Sequence, residues 1–406
     1  MNIYRNIKRI NNIYNNKSYK LLLKSSLSST NVDTSSSSST LISKADKYNV
    51  LMYGSGAIGL YYGGRLLEKE ITNTNSNTNV KFIARSYYKI CKENGYTIKS
   101  IDGDINFSSN QVKDKFYNDS ISLINSNKDN LIDYLIITIK SYAINENIKS
   151  MIDPLIKCYP NLKIILIING YGVDKCFVQW YGSKRVFVTL AFTCINRIFS
   201  NNSLIIDHSA VGHLLIGHCD NDINELQKMK EIFSNSKIRV ETTDSLLKSI
   251  WSKLVWNITF NGLSLSLGGV TTDIIANDKY LRHLATNLMR EIIELANKDI
   301  HDFYSNRNID EKKYLIDESS YIETMWKYTD NMGKYKTSSA IDLVNGSELE
   351  IEYLFSNVWN RAKYFSIKNN NSYPYLDQLL SVIHGISNIA NKKRKLGIKW
   401  NPIDFN

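Results

Sequence analysis

Lys253, Asn257 and Asn261 recur four residues apart in the stretch "WSKLVWNITFNGLSL", a spacing that aligns three polar side chains along one edge of a helix. Around them stand Trp251, Leu254, Val255, Trp256, Ile258, Phe260 and Leu263, so the helix is apolar nearly all round and belongs in an interior. Burying an ammonium and two amides without partners is strongly unfavourable. The polar edge therefore either lines a cleft and meets polar groups there, or forms one exposed seam on an otherwise packed helix. In a cleft its chemistry is definite. An amine in apolar surroundings holds its proton less tightly, so its pKa falls toward neutrality and it becomes a better acid. The same cation stabilises negative charge developing on a nearby oxygen.

A second group lies early in the chain. In "VLMYGSGAIGLYYGG", Gly54, Ser55, Gly56, Ala57, Ile58 and Gly59 form GxGxxG between an apolar run and a helical one. The first glycine permits a tight turn, the second lets backbone approach a pyrophosphate, and the third allows close helix–strand packing. The helix start supplies amide hydrogens and a positive dipole end. Following a strand, opening a helix and beginning a βαβ unit, the motif reads as a dinucleotide site. NAD sites place an acid about 20 residues on, which here falls in "NTNSNTN", part of an Asn-rich insert over 71–79 that reads as a loop extension. The second strand is therefore "VKFIA", followed by Arg85 rather than an acid. A guanidinium there can clamp the extra phosphate of NADP; otherwise Arg85 is an ordinary surface arginine. Two further strand ends face the same crevice: "DYLIITI" ends at Lys140 and "KIILII" at Asn169-Gly170. Asn-Gly is also a hairpin signal, although a parallel sheet has no place for a tight hairpin.

These residues need two kinds of scaffold. From Asn49 to about Val240, short β-branched runs alternate with helical stretches, and several runs are apolar throughout, as strands buried on both faces must be. The alternation predicts an α/β fold with a Rossmann-type, doubly wound parallel sheet, whose ligands sit beyond the carboxyl ends of the strands. After Glu241 the period becomes helical, with Leu281, Leu284, Leu288, Ile292 and Leu295 on one face. The expected organisation is an NADP-binding domain over 47–241 and a mostly α-helical substrate and catalytic domain over 242–406.

A chain of 406 residues with 43% apolar residues can fill two cores. Lys and Arg number 50 against 39 acids. The excess is concentrated before residue 46, where seven basic residues meet one acid, Asp33. The mild remainder suits an anionic small molecule, and no basic cluster interleaved with aromatics points to nucleic acid. Residues 1–46 are basic, acid-poor and rich in Asn and Ser. They fit a mitochondrial transit peptide, or else a disordered leader on a cytoplasmic protein. No apolar run approaches the roughly 18 residues of a membrane span. Five scattered cysteines without a CxxC pair suggest a reduced compartment. His208, His213 and His218 recur at five-residue steps in what reads as strands joined by a turn. Odd steps alternate faces there, so no metal site is expected. Oligomeric state leaves no mark on the sequence.

The joint order of GxGAIG, a strand-end lysine, a strand-end Asn-Gly, WxKxxxNxxxN, and Ser338 with Glu350 twelve residues on resembles the ketopantoate reductase (2-dehydropantoate 2-reductase) family. The likeness runs from about Asn49 to Ser381. It implies NADPH-dependent reduction of 2-dehydropantoate, a small 2-oxo acid, to (R)-pantoate on the route to pantothenate and coenzyme A. By position, it implies Lys253 as general acid and Glu350 as the acidic residue that positions the reacting groups. Asn169, Asn257 and Asn261 would hold substrate and cofactor, Ser338 the substrate carboxylate, and Lys140 and Arg85 the cofactor. The alternatives are a reductase of another 2-oxo acid and a non-catalytic NADPH-binding protein; intact Lys253 and Glu350 argue against the latter. On a helical wheel of "SELEIEYLF", Glu348 and Glu350 lie equally near the apolar face, and only the family pattern selects Glu350. Ser339 stands where the family commonly has methionine, and Leu349 where a threonine often precedes the glutamate. Both departures bear on substrate fit.

Overall fold

A computed structural model describes residues 48–401 except 74–75, 127–130, 201, 306 and 308–309. The leader over 1–46, and the targeting expectation attached to it, lie outside the described residues.

Among the described residues ten strands form one sheet: β1 (Tyr48–Tyr53), β2 (Thr78–Ile83), β3 (Tyr96–Ser100), β4 (Ile105–Phe107), β5 (Phe116–Tyr117), β6 (Tyr134–Ile137), β7 (Lys163–Leu166), β8 (Val186–Ser200), β9 (Ser203–His218) and β10 (Val240–Thr242). Their order is β4-β3-β9-β8-β7-β6-β1-β2-β5, with β10 also beside β9. From β8 through β7, β6, β1 and β2 to β5 every pairing is parallel, as the apolar runs require. The sheet as a whole is mixed, because β8 pairs antiparallel with β9 and β3 with β4. Only two residues separate β8 from β9, too few for a crossover, so the chain must reverse. The expectation of two strands joined by a turn through the three histidines is also corrected. β9 is one strand, and irregularities opposite Phe192/Thr193 and Cys194/Ile195 take up extra residues where a turn was expected.

Alternate residues of the inner strands serve opposite faces. Val50, Met52, Val80, Phe82, Ile136, Ile165 and Phe187 pack with Leu60, Tyr61 and Leu66 of the helix Ala57–Thr72. Leu51, Tyr53, Leu135, Ile137, Ile164, Leu166 and Val188 join another cluster, which continues without a break into the helical half through Ile250, Trp251, Leu254, Val255 and Leu288. After Thr242 all assigned elements are helical among the described residues. The longest is Lys279–Ser305, carrying the apolar face read from the sequence.

Two expectations about local structure change. The polar edge does not lie on one regular helix: α-helix Leu246–Trp256 passes into a π turn at Asn257–Asn261 and then into α-helix Gly262–Ser266. The Asn-rich insert is shorter than it reads, since the first helix runs to Thr72 and β2 begins at Thr78.

Candidate active site

Gly54, Lys140 and Asn169 follow the carboxyl ends of β1, β6 and β7, which are adjacent and parallel, so all three face one crevice. The glycine turn is fixed from within. Gly54 has φ +114°, and Thr138 Oγ1 donates to its carbonyl at 3.1 Å. A Cβ on Gly59 would stand 2.0 Å from the Gly54 oxygen, so only glycine fits. A Cβ on Gly56 would meet nothing within 4 Å. The chain's own packing does not demand a glycine there, whereas a closely approaching phosphate would. The helix Ala57–Thr72 starts with no side-chain cap and no acid in its first turn, leaving its amides and dipole available to an anion. Ser55 is buried in the turn, with Ala57 and Ile58 half-buried behind it. These features fit the phosphates of a dinucleotide.

Arg85 stands exposed two residues beyond β2, and no carboxylate pairs with it among the described residues. Its charge reaches Tyr53, whose hydroxyl is nevertheless pushed up to about 12 by burial.

Lys253 Nζ donates to Asn169 Oδ1 at 2.7 Å and to the carbonyl of Ala191 at 2.8 Å. Both acceptors are neutral, and the ring of Phe192 lies 5.3 Å away. Burial pushes the Lys253 pKa from 10.5 down to about 7, and the charge of Glu350 partly opposes the fall. Its neighbour His213 is driven down to about 3 by burial and by the charges of Arg239 and Lys253. An ammonium has three N–H groups, so one remains for a third acceptor.

Lys140 Nζ meets Asp342 at 2.6 Å and Glu350 at 3.0 Å, and the other Glu350 oxygen accepts from the amide of Ser141 at 2.8 Å. Burial alone would lower the Lys140 pKa, but the two carboxylates outweigh it and hold it above its usual value. Asp342 is raised by burial despite Lys140. The tie between Glu348 and Glu350 is resolved on different grounds from a wheel. Both lie in the non-helical segment before Ile351. Glu350 turns toward Lys140, whereas Glu348 pairs with Arg394 on the surface at 3.1 Å.

Asn261 is buried and accepts from Ser338 Oγ at 3.3 Å and from the Ser339 amide at 3.1 Å. It thereby anchors the start of helix Ser338–Val344, where Ser338 is exposed. Asn257 is half-buried, and its amide takes no partner among the described residues. A second π turn, Glu352–Ser356, packs close by, with the Tyr353 carbonyl accepting from the Tyr171 amide at 2.7 Å. Wide turns of this kind concentrate at functional sites.

Sequence reasoning missed Asp342, the Ala191 carbonyl and the Ser141 amide. Asp342 could have been found, since it follows Ser338 by four residues on one helix face; backbone groups leave no such signal. The three histidines serve separate tasks. His208 meets Ser100 at 2.8 Å, His213 stacks on Phe192, and His218 contacts the Lys184 carbonyl at 3.2 Å.

A Rossmann-type sheet whose glycine turn suits dinucleotide phosphates, joined to a helical half that brings a depressed-pKa lysine to the same strand ends, defines an NAD(P)-dependent oxidoreductase. The pattern of ketopantoate reductase PanE/ApbA matches residues 50–221, and that of the family's C-terminal part matches residues 245–387. The chain belongs to the ketopantoate reductase family, whose reaction type is reduction of a 2-oxo acid. It is 29% identical over 321 residues to the 2-dehydropantoate 2-reductase of Nostoc sp., covering 78% of this chain and 89% of that one. The structure is similar to that of 2-dehydropantoate 2-reductase from Geobacter metallireducens, at 26% identity and TM-score 0.69, covering 83% of this chain and 99% of the other. A D-mandelate dehydrogenase solved with NADH and anilino(oxo)acetate shares the fold at 16% identity and TM-score 0.65, covering 84% of this chain and 99% of the other.

Proposed function

We propose that the protein reduces the ketone of 2-dehydropantoate to (R)-pantoate with NADPH, in the synthesis of pantothenate and coenzyme A. The observation that carries the reading is Lys253, an amine poised near neutrality and held by two neutral acceptors beside the crevice of the glycine turn. A bound nicotinamide would supply the hydride. Lys253 gives the remaining N–H proton to the carbonyl oxygen as negative charge develops there, and then regains a proton from solvent. Asn169 and the Ala191 carbonyl fix its direction. Asn257 offers an amide to the substrate, and Ser338 gives its hydroxyl to the carboxylate by turning its single O–H away from Asn261, which keeps its bond from the Ser339 amide. Gly54 to Gly59 bind the pyrophosphate, with Arg85 on the extra phosphate and Lys140 and Asn169 nearer the nicotinamide end. On this reading residues 47–241 form the cofactor domain and 242–406 the substrate domain.

A panel of 2-oxo acids assayed with NADPH and NADH tests the proposal. Ketopantoate should be the best substrate and NADPH the better donor. Should ketopantoate prove the poorest, the second reading replaces the first: a reductase of another 2-oxo acid, favoured by Ser339, which stands beside Asn261 where the family pattern commonly has methionine. The basic, acid-poor composition of residues 1–46 supports import into mitochondria. A fluorescent fusion of that segment that stays in the cytosol overturns this destination.

A further inference from the structure

Asp299 is a buried carboxylate on the helix Lys279–Ser305 that the proposed chemistry does not use. Its Oδ2 accepts from the Tyr171 hydroxyl at 2.6 Å and from Trp251 Nε1 at 2.8 Å, and its Oδ1 accepts from Arg361 Nε at 2.5 Å. Each donor sits on a segment that carries a site residue. Tyr171 is two residues after Asn169, and Trp251 two residues before Lys253. Arg361 is on helix Asn357–Asn369, which continues from the π turn just after Glu350. The segments are further tied to one another. The Tyr171 amide donates to the Tyr353 carbonyl at 2.7 Å, Asn357 Nδ2 donates to the Tyr171 carbonyl at 3.0 Å, and the Tyr171 and Trp251 rings lie 5.0 Å apart.

We propose that Asp299 is a positioning residue, which sets Lys253 against Asn169 by holding Trp251 and Tyr171 on one carboxylate and locking that carboxylate to Arg361. Its influence is geometric. The charge that Lys253 feels is that of Glu350, and Asp299 is not among the causes of its shift. A buried carboxylate with one cationic partner is a weak source of stability, but it is well suited to fixing three donors in one arrangement. The inference rests on the reading of Lys253 as the proton donor.

Asp299→Asn tests it, because the amide NH₂ must face either Arg361 Nε–H or Trp251 Nε1–H, and neither can accept. The full chain is assayed for 2-oxo acid reduction, with rates expressed per NADPH-binding site counted by fluorescence titration. A roughly tenfold to hundredfold loss of kcat is expected, the scale on which small misplacements act, with NADPH affinity within about twofold of wild type. The alkaline limb of the kcat profile should move upward by about one pH unit or more, because a loosened amine regains water. Tyr171→Phe and Trp251→Phe keep the carboxylate and remove one donor each, and each should show part of both changes. A limb at its wild-type position, with kcat per binding site unchanged, overturns the proposal. If Asp299→Asn does not fold, the same result in the Tyr171→Phe and Trp251→Phe variants overturns it. An active Lys253→Ala enzyme overturns the underlying reading as well, whereas an inactive one beside a wild-type-like Asp299→Asn sinks only the role of Asp299.

Discussion

Glu350 Oε2 stands 3.0 Å from Lys140 Nζ, joining the end of β6 to the segment that leads into the second π turn. The same carboxylate opposes the effect of burial on Lys253, so one acid serves two cations. Glu350→Gln should therefore lower the Lys253 pKa below about 7. The alkaline limb of kcat would move to lower pH, the opposite of what loosened packing gives. A pH–rate series on the purified variant checks the sign.

For the wild type, reduction should slow as pH rises through about 7, because the neutral amine has no proton to give. Lys253→Ala should lose about 10² to 10⁴ in kcat and with it the alkaline limb, while NADPH titration remains close to wild type. Lys253→Arg, which stays charged across this range, should also lack the limb. A limb near 7 that persists in Lys253→Ala would assign the ionisation to another group.

Arg85→Ala should raise the KM for NADPH by roughly tenfold or more, the worth of a charge-assisted contact, and leave NADH within about twofold. Steady-state kinetics with both donors decide it. Equal weakening would show that Arg85 does not read the extra phosphate.

The motif glycines should separate by function. Gly59→Ala forces a Cβ to 2.0 Å from the Gly54 oxygen and should destabilise the protein itself by about 1 to 3 kcal/mol, seen as a lower Tm without cofactor. Gly56→Ala has no clash within the chain. Its Tm should stay near wild type while the rise on adding NADPH disappears.

The class of the fold was legible because β1, β6 and β7 are apolar at successive positions and the later helices carry a clear stripe, patterns that burial imposes directly. The antiparallel β8–β9 pair was not, since a bulge and a turn leave similar marks in a strand rich in small residues. The polar edge announced Lys253, because an ammonium in an apolar helix needs a reason. What it could not show was the π turn that interrupts the helix between Asn257 and Asn261. Glu350 was out of reach of periodicity because it precedes its helix, and the family pattern alone selected it. The Ala191 carbonyl, which helps to hold the amine, belongs to a residue whose side chain carries no signal.

One apolar cluster takes in Leu51 and Tyr53 of β1, Leu135 and Ile137 of β6, and Trp251 and Leu254 beside the lysine. A fragment ending at Thr242 would keep the cover that Ile148, Ile152, Leu155 and Phe177 give that side of the sheet, but it would open to water the apolar surface that Trp251 and Leu254 close. Such a truncation should be less stable and stickier than the whole chain, because the two halves share one continuous interior.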